Sequence, residues 1–128
     1  MFVEILTDKM ISSGKELTIL LDKAQVKVKA SLWIYEMDLN IWRLIIASPE
    51  VRVFGPKKLY KRIQSIISKM PEDNKLVLKD IAVVDDIHPL VILLRKAVKT
   101  GRTISEIRFS RNAINGVFIE DAYIYRIT

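Results

Sequence analysis

The segment "VKVKASLWIYEMDLNIWRLIIAS", residues 26–48, contains two strand-like runs separated by a turn sequence. From Val26 to Tyr35 the side chains alternate with the period of two that places successive residues on opposite faces of a strand. Asp38 and Asn40 are residue types that favour turns, and an apolar run resumes after them. The segment therefore predicts a β-hairpin, and the rest of the fold can be worked out on either side of it.

Upstream of this hairpin, the sequence predicts a short strand in "MFVEIL" (residues 1–6) and a helix that ends near Ala24. Two residues are good candidates for the N-cap of this helix. Thr7 is one, and Ser13 is the other, because Glu16 stands three residues after it in the pattern of a capping box.

Downstream of the hairpin, Gly55-Pro56 begins a second predicted helix, since proline is well suited to the first helical position. The run "KLVLKDIAVV" (residues 75–84) predicts a further strand. His88-Pro89 begins a third helix that continues to Gly101. Asn115-Gly116 predicts the turn of a C-terminal hairpin, because this dipeptide favours the tight turns that join antiparallel strands.

The predicted order is β-α-β-β-α-β, followed by α-β-β, which indicates a single α+β domain spanning residues 1–128. We expect an antiparallel sheet with helices packed on it. The first six elements are similar in order to ferredoxin-like domains, a resemblance that carries little information about activity. If the weak first strand is absent, the alternative is an antiparallel sheet with helices on one face.

The composition excludes several classes of protein. The chain has no cysteine, so disulfides and thiol chemistry are absent. The longest apolar run is "LVILL" (residues 90–94), far shorter than the roughly 20 residues that span a bilayer. The first ten residues do not resemble a secretory signal. We expect a soluble, cytoplasmic protein that does not associate with membranes.

Positive charge is concentrated in two blocks of the sequence. Residues 51–70 contain six basic residues and no acidic one, and residues 95–111 contain six against Glu106. The other segments are close to neutral or acidic, so these blocks account for the whole net charge of +6. Such a distribution favours a polyanionic partner, with nucleic acid as the first expectation.

Lys57 and Lys58 stand in the first turn of the predicted second helix, where the helix dipole already presents positive charge. Lysines there are unfavourable unless an anion compensates them, whereas a helix that is basic only for solubility normally mixes both signs. We therefore predict an anion-binding surface formed by the following residues: Lys57, Lys58, Lys61, Arg62, Arg95, Lys99, Arg102, Arg108 and Arg111.

Trp33 and Tyr35 alternate on the same predicted strand face as Lys27 and Lys29. Exposed aromatic rings beside cations are what a single-strand binder uses to stack bases, so these two rings are candidate stacking residues. The alternative is an aromatic core beneath a helix.

Two other functions stay open. One is a self-associating regulatory subunit that forms a homodimer through the apolar, tyrosine-bearing C-terminal hairpin. The other is a small hydrolase or nuclease built on Asp85, Asp86 and His88, although these residue types also suit the start of a helix. No phosphate-cradling glycine motif or nucleophile elbow occurs. We expect no cofactor, no metal site and no catalytic residue.

Overall fold

The hairpin predicted from residues 26–48 is confirmed, and it lies in a five-stranded mixed sheet in the computed structural model, which describes residues 4–128. Strands β1 (Ala30–Glu36) and β2 (Ile41–Ala47) pair antiparallel. The first strand begins later than the alternation suggested, because the chain bends at Lys29. As a result, Val26 and Val28 share a core with Trp33 and Tyr35, and not with Leu32 as predicted.

Within residues 4–128, four helices pack around this sheet: α1 (Asp8–Lys23), α2 (Pro49–Phe54), α3 (Pro56–Ser68) and α4 (Pro89–Ala97). Thr7 caps α1 by accepting a hydrogen bond from the backbone of Met10, whereas Ser13 is buried inside the helix. Helix α2 was not predicted. Helix α3 begins at Pro56 as expected, and α4 ends before Gly101, because the chain is already extended at Val98.

The remaining strands are β3 (Ile81–Val84), β4 (Ile107–Ile114) and β5 (Val117–Ile127). Strand β3 is much shorter than the predicted run, part of which forms a 3₁₀ turn at Leu78–Asp80. The C-terminal hairpin is confirmed, with both residues of its turn, Asn115 and Gly116, at positive φ.

The strand order across the sheet is β3-β2-β1-β5-β4. The prediction of an antiparallel sheet is wrong for β2 and β3, which pair in parallel across a connection that contains α2 and α3. Residues 1–3 of the predicted first strand lie outside the described residues, and residues 4–6 are not in a strand. The fold is therefore α+β with a mixed sheet, and the ferredoxin-like order is not confirmed.

Apolar side chains bury both faces of this sheet. Helices α1 and α3 cover one face, where Leu17 and Ile63 share a core with Trp33. Helix α4 covers the other face, where Val91 and Leu94 join a second core. Because helices pack on both faces, the alternative with helices on a single face is also wrong.

A β-bulge near the end of β5 places two consecutive side chains on the α1 side of the sheet. The register between β1 and β5 shifts here: Ser31 pairs with Arg126 and Leu32 with Ile124, so Tyr125 is the extra residue. The Tyr125 hydroxyl donates to the carbonyl of Ile11, and Arg126 bonds to Asp22, both within α1. In a regular strand these neighbours would point to opposite faces.

Candidate anion-binding groove

A groove of about 420 Å³ lies where the C-terminal end of α1 meets the end of β5. Three segments line it: the end of α1 with the residues that follow, the chain after α4, and the end of β5. Its charged residues are Asp22, Lys27, Lys29, Arg102 and Arg126. Four basic side chains and one acidic side chain give the side chains of the groove a net charge of +3, which suits an anion.

Arg126 is the buried cation of this groove, with only 7% of its side chain exposed. Its two terminal nitrogens donate to the carboxylate of Asp22 at 2.9 and 2.7 Å, and one of them also approaches the carbonyl of Val28 at 3.3 Å. Its Nε is buried and has no hydrogen-bond partner among residues 4–128. The β-bulge directs the Arg126 side chain towards α1, where Asp22 binds the guanidinium but leaves Nε without a partner among residues 4–128.

Arg102 reaches the groove because the chain after α4 is anchored on β5 at two points. The amide of Thr100 donates to the carbonyl of Ile127 at 2.7 Å, and the amide of Ser105 donates to the carbonyl of Tyr125 at 2.7 Å. Arg102 lies between these anchors and is exposed. It makes no ion pair with any acidic side chain in the described part of the chain.

Lys27 and Lys29 form another wall of the groove. Gln25 adopts a positive φ of 62°, which turns the chain sharply after α1. The amide of Lys29 then donates to the carbonyl of Ala47 at 2.8 Å, and its own carbonyl accepts from the amide of Thr128 at 2.9 Å. The backbone of this wall is thus tied to β2 and β5, while neither ammonium group pairs with an acid within residues 4–128.

The basic face of α3 adjoins the rim of the groove. Arg62 donates to the carbonyl of Ala24 at 2.7 Å, and it also lies 3.8 Å from the carboxylate of Glu50. The same Glu50 accepts from the amide of Lys27 at 2.9 Å. These bonds connect the helix predicted to bind anions with the wall of the groove, so α3 lies beside the groove that Arg102 lines.

The structure divides the nine predicted anion-binding residues into two groups. Four make hydrogen bonds or ion pairs. Arg62 does so as described, and Arg95 donates to the carbonyls of Thr128 and Asp86. Arg108 pairs with Asp121, and Arg111 pairs with Glu120. The other five make no ion pair within residues 4–128: Lys57, Lys58, Lys61, Lys99 and Arg102. Of all nine, Arg102 alone lines the groove.

Arg108 and Arg111 lie on β4, apart from the groove. Arg108 donates to Asp121 at 2.6 Å, and this hydrogen bond raises the pKa of the guanidinium. Arg111 is largely exposed and lies 3.8 Å from Glu120. Because a neighbouring carboxylate compensates each charge, this pair forms no common surface with the other cations.

The first turn of α3, where the dipole argument placed an anion, contains no recess. The crevice lined by Phe54, Gly55 and Lys58 leaves about 0 Å³ of space for a ligand. The ammonium group of Lys58 lies 4.1 Å from the centre of the Phe54 ring, which partly compensates its charge. Lys57 and Lys61 are exposed, so this helix offers a convex charged surface beside the groove.

Trp33 and Tyr35 are both buried, with 1% and 9% of their surface exposed. The Trp33 indole donates to the carbonyl of Met10 and to the Tyr125 hydroxyl, both at 3.1 Å, and the Tyr35 hydroxyl donates to Asn40. Neither ring has a free face on which a base could stack. The structure therefore removes both from the candidate stacking residues, in favour of the aromatic core considered as the alternative.

Asp85, Asp86 and His88 take up structural positions. The Asp85 carboxylate accepts from the amide of Ile87 at 2.9 Å, and Nδ1 of His88 accepts from the amide of Leu90 at 3.1 Å. Asp86 pairs with Arg52 at 2.7 Å. Among residues 4–128, no group of three such side chains is arranged to hold a metal ion.

The sequence did not place four charged residues among the anion-binding residues: Asp22, Lys27, Lys29 and Arg126. Lys27 and Lys29 were considered there only as cations beside Trp33 and Tyr35. One of the four left a signal. Arg126 interrupts the otherwise apolar run "AYIYRI" at residues 122–127, and a charge inside such a run demands a partner. The other three look like ordinary surface residues, and only the tertiary fold brings them together.

Comparison of the chain with protein-family models, with curated proteins and with solved structures finds no match. In the part of the chain that the structure describes, none of the helices combines the length and the hydrophobicity needed to cross a bilayer.

Proposed function

We propose that this protein is a non-catalytic binding module for an anionic partner, with nucleic acid as the partner that its charge pattern fits best. One observation carries the proposal: the groove combines a buried arginine with three cations that make no ion pair within residues 4–128. Cations that the protein itself leaves uncompensated repel one another, and a bound anion relieves this repulsion.

The position of α3 favours a polymer over a small isolated anion. Lys58, Lys61 and Arg62 lie on the helix whose side chains contact the rim of the groove. A chain of phosphates can occupy the groove and continue along this helix, whereas a single small anion would use the groove alone. Binding of this kind releases counterions and weakens steeply as salt is added.

The buried aromatic residues determine the expected selectivity. Without exposed rings at Trp33 and Tyr35, affinity comes from contacts to phosphate, which carry little sequence information. We therefore expect similar affinity for oligonucleotides of different base composition.

The test is fluorescence anisotropy with single-stranded and double-stranded oligonucleotides over a range of salt concentrations. The variant Lys27→Gln/Lys29→Gln/Arg102→Gln removes three groove charges. A matched control, Lys9→Gln/Lys79→Gln/Arg111→Gln, removes the same formal charge from residues that do not line the groove. We expect the groove variant to lower the slope of log K against log salt by about 2 for single strands.

Equal losses in the two variants would show that the net charge of the molecule, and not the groove, attracts nucleic acid. Absence of salt-sensitive binding in the unmodified protein would overturn the proposal altogether.

A second candidate function is self-association, as expected from the C-terminal hairpin. Its tip exposes Val117 and Phe118, and a recess of about 400 Å³ lies between Phe118 and the exposed Met37 and Leu39. Tyr125 is fully buried and Tyr123 is partly exposed, so Tyr123 is the tyrosine of this pair that a partner could contact. A mass that rises with concentration, and that falls in Phe118→Ser, is the expected result if the tip forms a dimer.

Both proposals keep the expectation of a cytoplasmic location, which the absence of cysteine fits. Fluorescence microscopy of a tagged chain tests it.

A further inference from the structure

We infer that the groove is a site for a phosphate monoester. Resting on the proposed function, this inference assigns to the groove the phosphorylated end of a nucleic-acid strand, while the internal phosphates follow α3. The charges, the buried arginine and the position of the rim each support this assignment.

The charge of the groove matches a monoester better than an internal phosphodiester. The side chains that line the groove carry a net charge of +3, from four cations and Asp22. An internal phosphodiester brings one negative charge, whereas a phosphate monoester brings about 1.5 to 2 at neutral pH and has three free oxygens. The monoester thus neutralises more of the charge that the groove leaves uncompensated.

Arg126 supplies the geometry that recognises such a group. A guanidinium presents several N–H donors in a fixed plane and binds phosphate oxygens in pairs. Here the side chain lines the groove, is buried and is held by Asp22, so a phosphate binds its terminal nitrogens by displacing the Asp22 carboxylate. Asp22, whose side chain is 38% exposed, occupies the two terminal nitrogens at the edge of the groove.

The size and surroundings of the groove fit the end of a strand. A volume of about 420 Å³ is within the usual range for sites that bind small molecules, so one nucleotide-sized group fits. The rim at residues 24–27 is bonded to Arg62 and Glu50, which places α3 directly outside the groove. A strand whose end occupies the groove can therefore continue along α3, the helix that carries Lys58 and Lys61.

The experiment compares three single-stranded oligonucleotides of one sequence, with an internal fluorophore. One carries a 5′-phosphate, one a 3′-phosphate, and one hydroxyl groups at both ends. We expect one phosphorylated form to bind about tenfold more tightly than the hydroxyl form at equal salt. Arg102→Gln, at an exposed position, should bring the ratio of the affinities for the phosphorylated and hydroxyl forms close to one. Lys61→Gln should weaken the binding of all three oligonucleotides and leave that ratio unchanged.

A parallel measurement uses adenosine monophosphate, adenosine and inorganic phosphate as probes of thermal stability. Stabilisation by the monophosphate and not by adenosine supports a monoester site.

If the oligonucleotides bind equally well with and without a terminal phosphate, this inference is wrong and the proposed function stands. If no oligonucleotide binds but the monophosphate stabilises the protein, nucleic acid is not the partner, and the groove is a site for a small phosphate monoester and not for the end of a strand. If neither binds, both are overturned.

Discussion

Tyr125 and Arg126 are neighbours in the chain and point to the same side of the sheet, but they belong to two contrasting regions. Tyr125 lies in a closed cluster beneath α1, where it contacts Trp33 and the Ile11 carbonyl. Arg126 lines the groove at the end of the same helix. The comparison shows how one bulge supplies both a structural contact and a candidate ligand contact.

The closed cluster satisfies its polar atoms internally. The hydroxyls of Thr18 and Ser31 lie 2.7 Å apart, and the Thr18 hydroxyl donates to the carbonyl of Gly14 at 2.8 Å. Burial raises the pKa of the Tyr125 phenol, which keeps its hydroxyl protonated and able to donate. Buried polar groups that are fully bonded contribute to a unique packing arrangement.

The groove shows the opposite pattern, since its cations exceed its anions and Nε of Arg126 has no partner in the described residues. Such an arrangement does not favour folding. We interpret fully bonded polar groups as structural and the uncompensated groups as adapted to a ligand. The following predictions test that distinction, from the largest expected effect to the smallest.

Gly14→Ala should lower the free energy of unfolding by about 3 kcal/mol. A Cβ at this position would lie 2.5 Å from the Tyr125 hydroxyl and 2.6 Å from Nε1 of Trp33, so both hydrogen-bonded rings would have to move. Urea denaturation measures the loss. Gly101→Ala is the control, because a Cβ there meets nothing within 4 Å. Equal stability of the two variants would mean that the cluster is loosely packed.

Asp22→Asn should destabilise the protein by about 2 kcal/mol, because it leaves the buried Arg126 without its counterion. The loss is smaller than for a fully buried pair, since Asp22 is partly exposed. Thermal melts with added pyrophosphate should show a larger rise in Tm for the variant than for the unmodified protein. An equal or smaller rise would argue that Arg126 is not available to a phosphate.

Tyr125→Phe should cost about 1 kcal/mol, because the Ile11 carbonyl loses its donor inside the core. The matched variant is Tyr123→Phe, whose hydroxyl bonds to the exposed Glu106 and should matter less. Chemical denaturation of both proteins gives the difference. If Tyr123→Phe is the more destabilising of the two, burial does not control the strength of these bonds.

The groove triple variant Lys27→Gln/Lys29→Gln/Arg102→Gln should change the free energy of unfolding by less than about 0.5 kcal/mol. Because the substitutions relieve repulsion between like charges, we expect a small gain in stability and not a loss. A destabilisation above 1 kcal/mol, on the order of a lost buried hydrogen bond, would show that these side chains stabilise the fold.

Much of the fold could be predicted from local patterns, because turns and helix starts depend on nearby residues. The hairpin after Val26, the Asn115-Gly116 turn and the start of α3 at Pro56 are examples. Helix α2 was missed because its six residues are too short for a periodic signal.

The groove itself could not be predicted, because its walls come from segments far apart in the sequence. The bulge at Tyr125 depends on the register between β1 and β5, which no local sequence pattern predicts. The charge blocks did indicate a basic surface. They gave α3 too large a role, because its first turn contains no recess, and they included Arg108, whose charge Asp121 compensates. Trp33 was ambiguous for a similar reason, since a ring beside lysines can lie in a core or on a surface.

The pairing of β1 has a consequence for biosynthesis. Its first partner, β2, follows within a few residues, but its second partner is residues 117–127, so that Ala30 pairs with Ile127. Until those residues leave the ribosome, one edge of the most apolar hairpin stays open on the nascent chain, where it can recruit chaperones or mispair with another copy. Joining two distant segments is slow, so this step should set the folding rate of the whole protein.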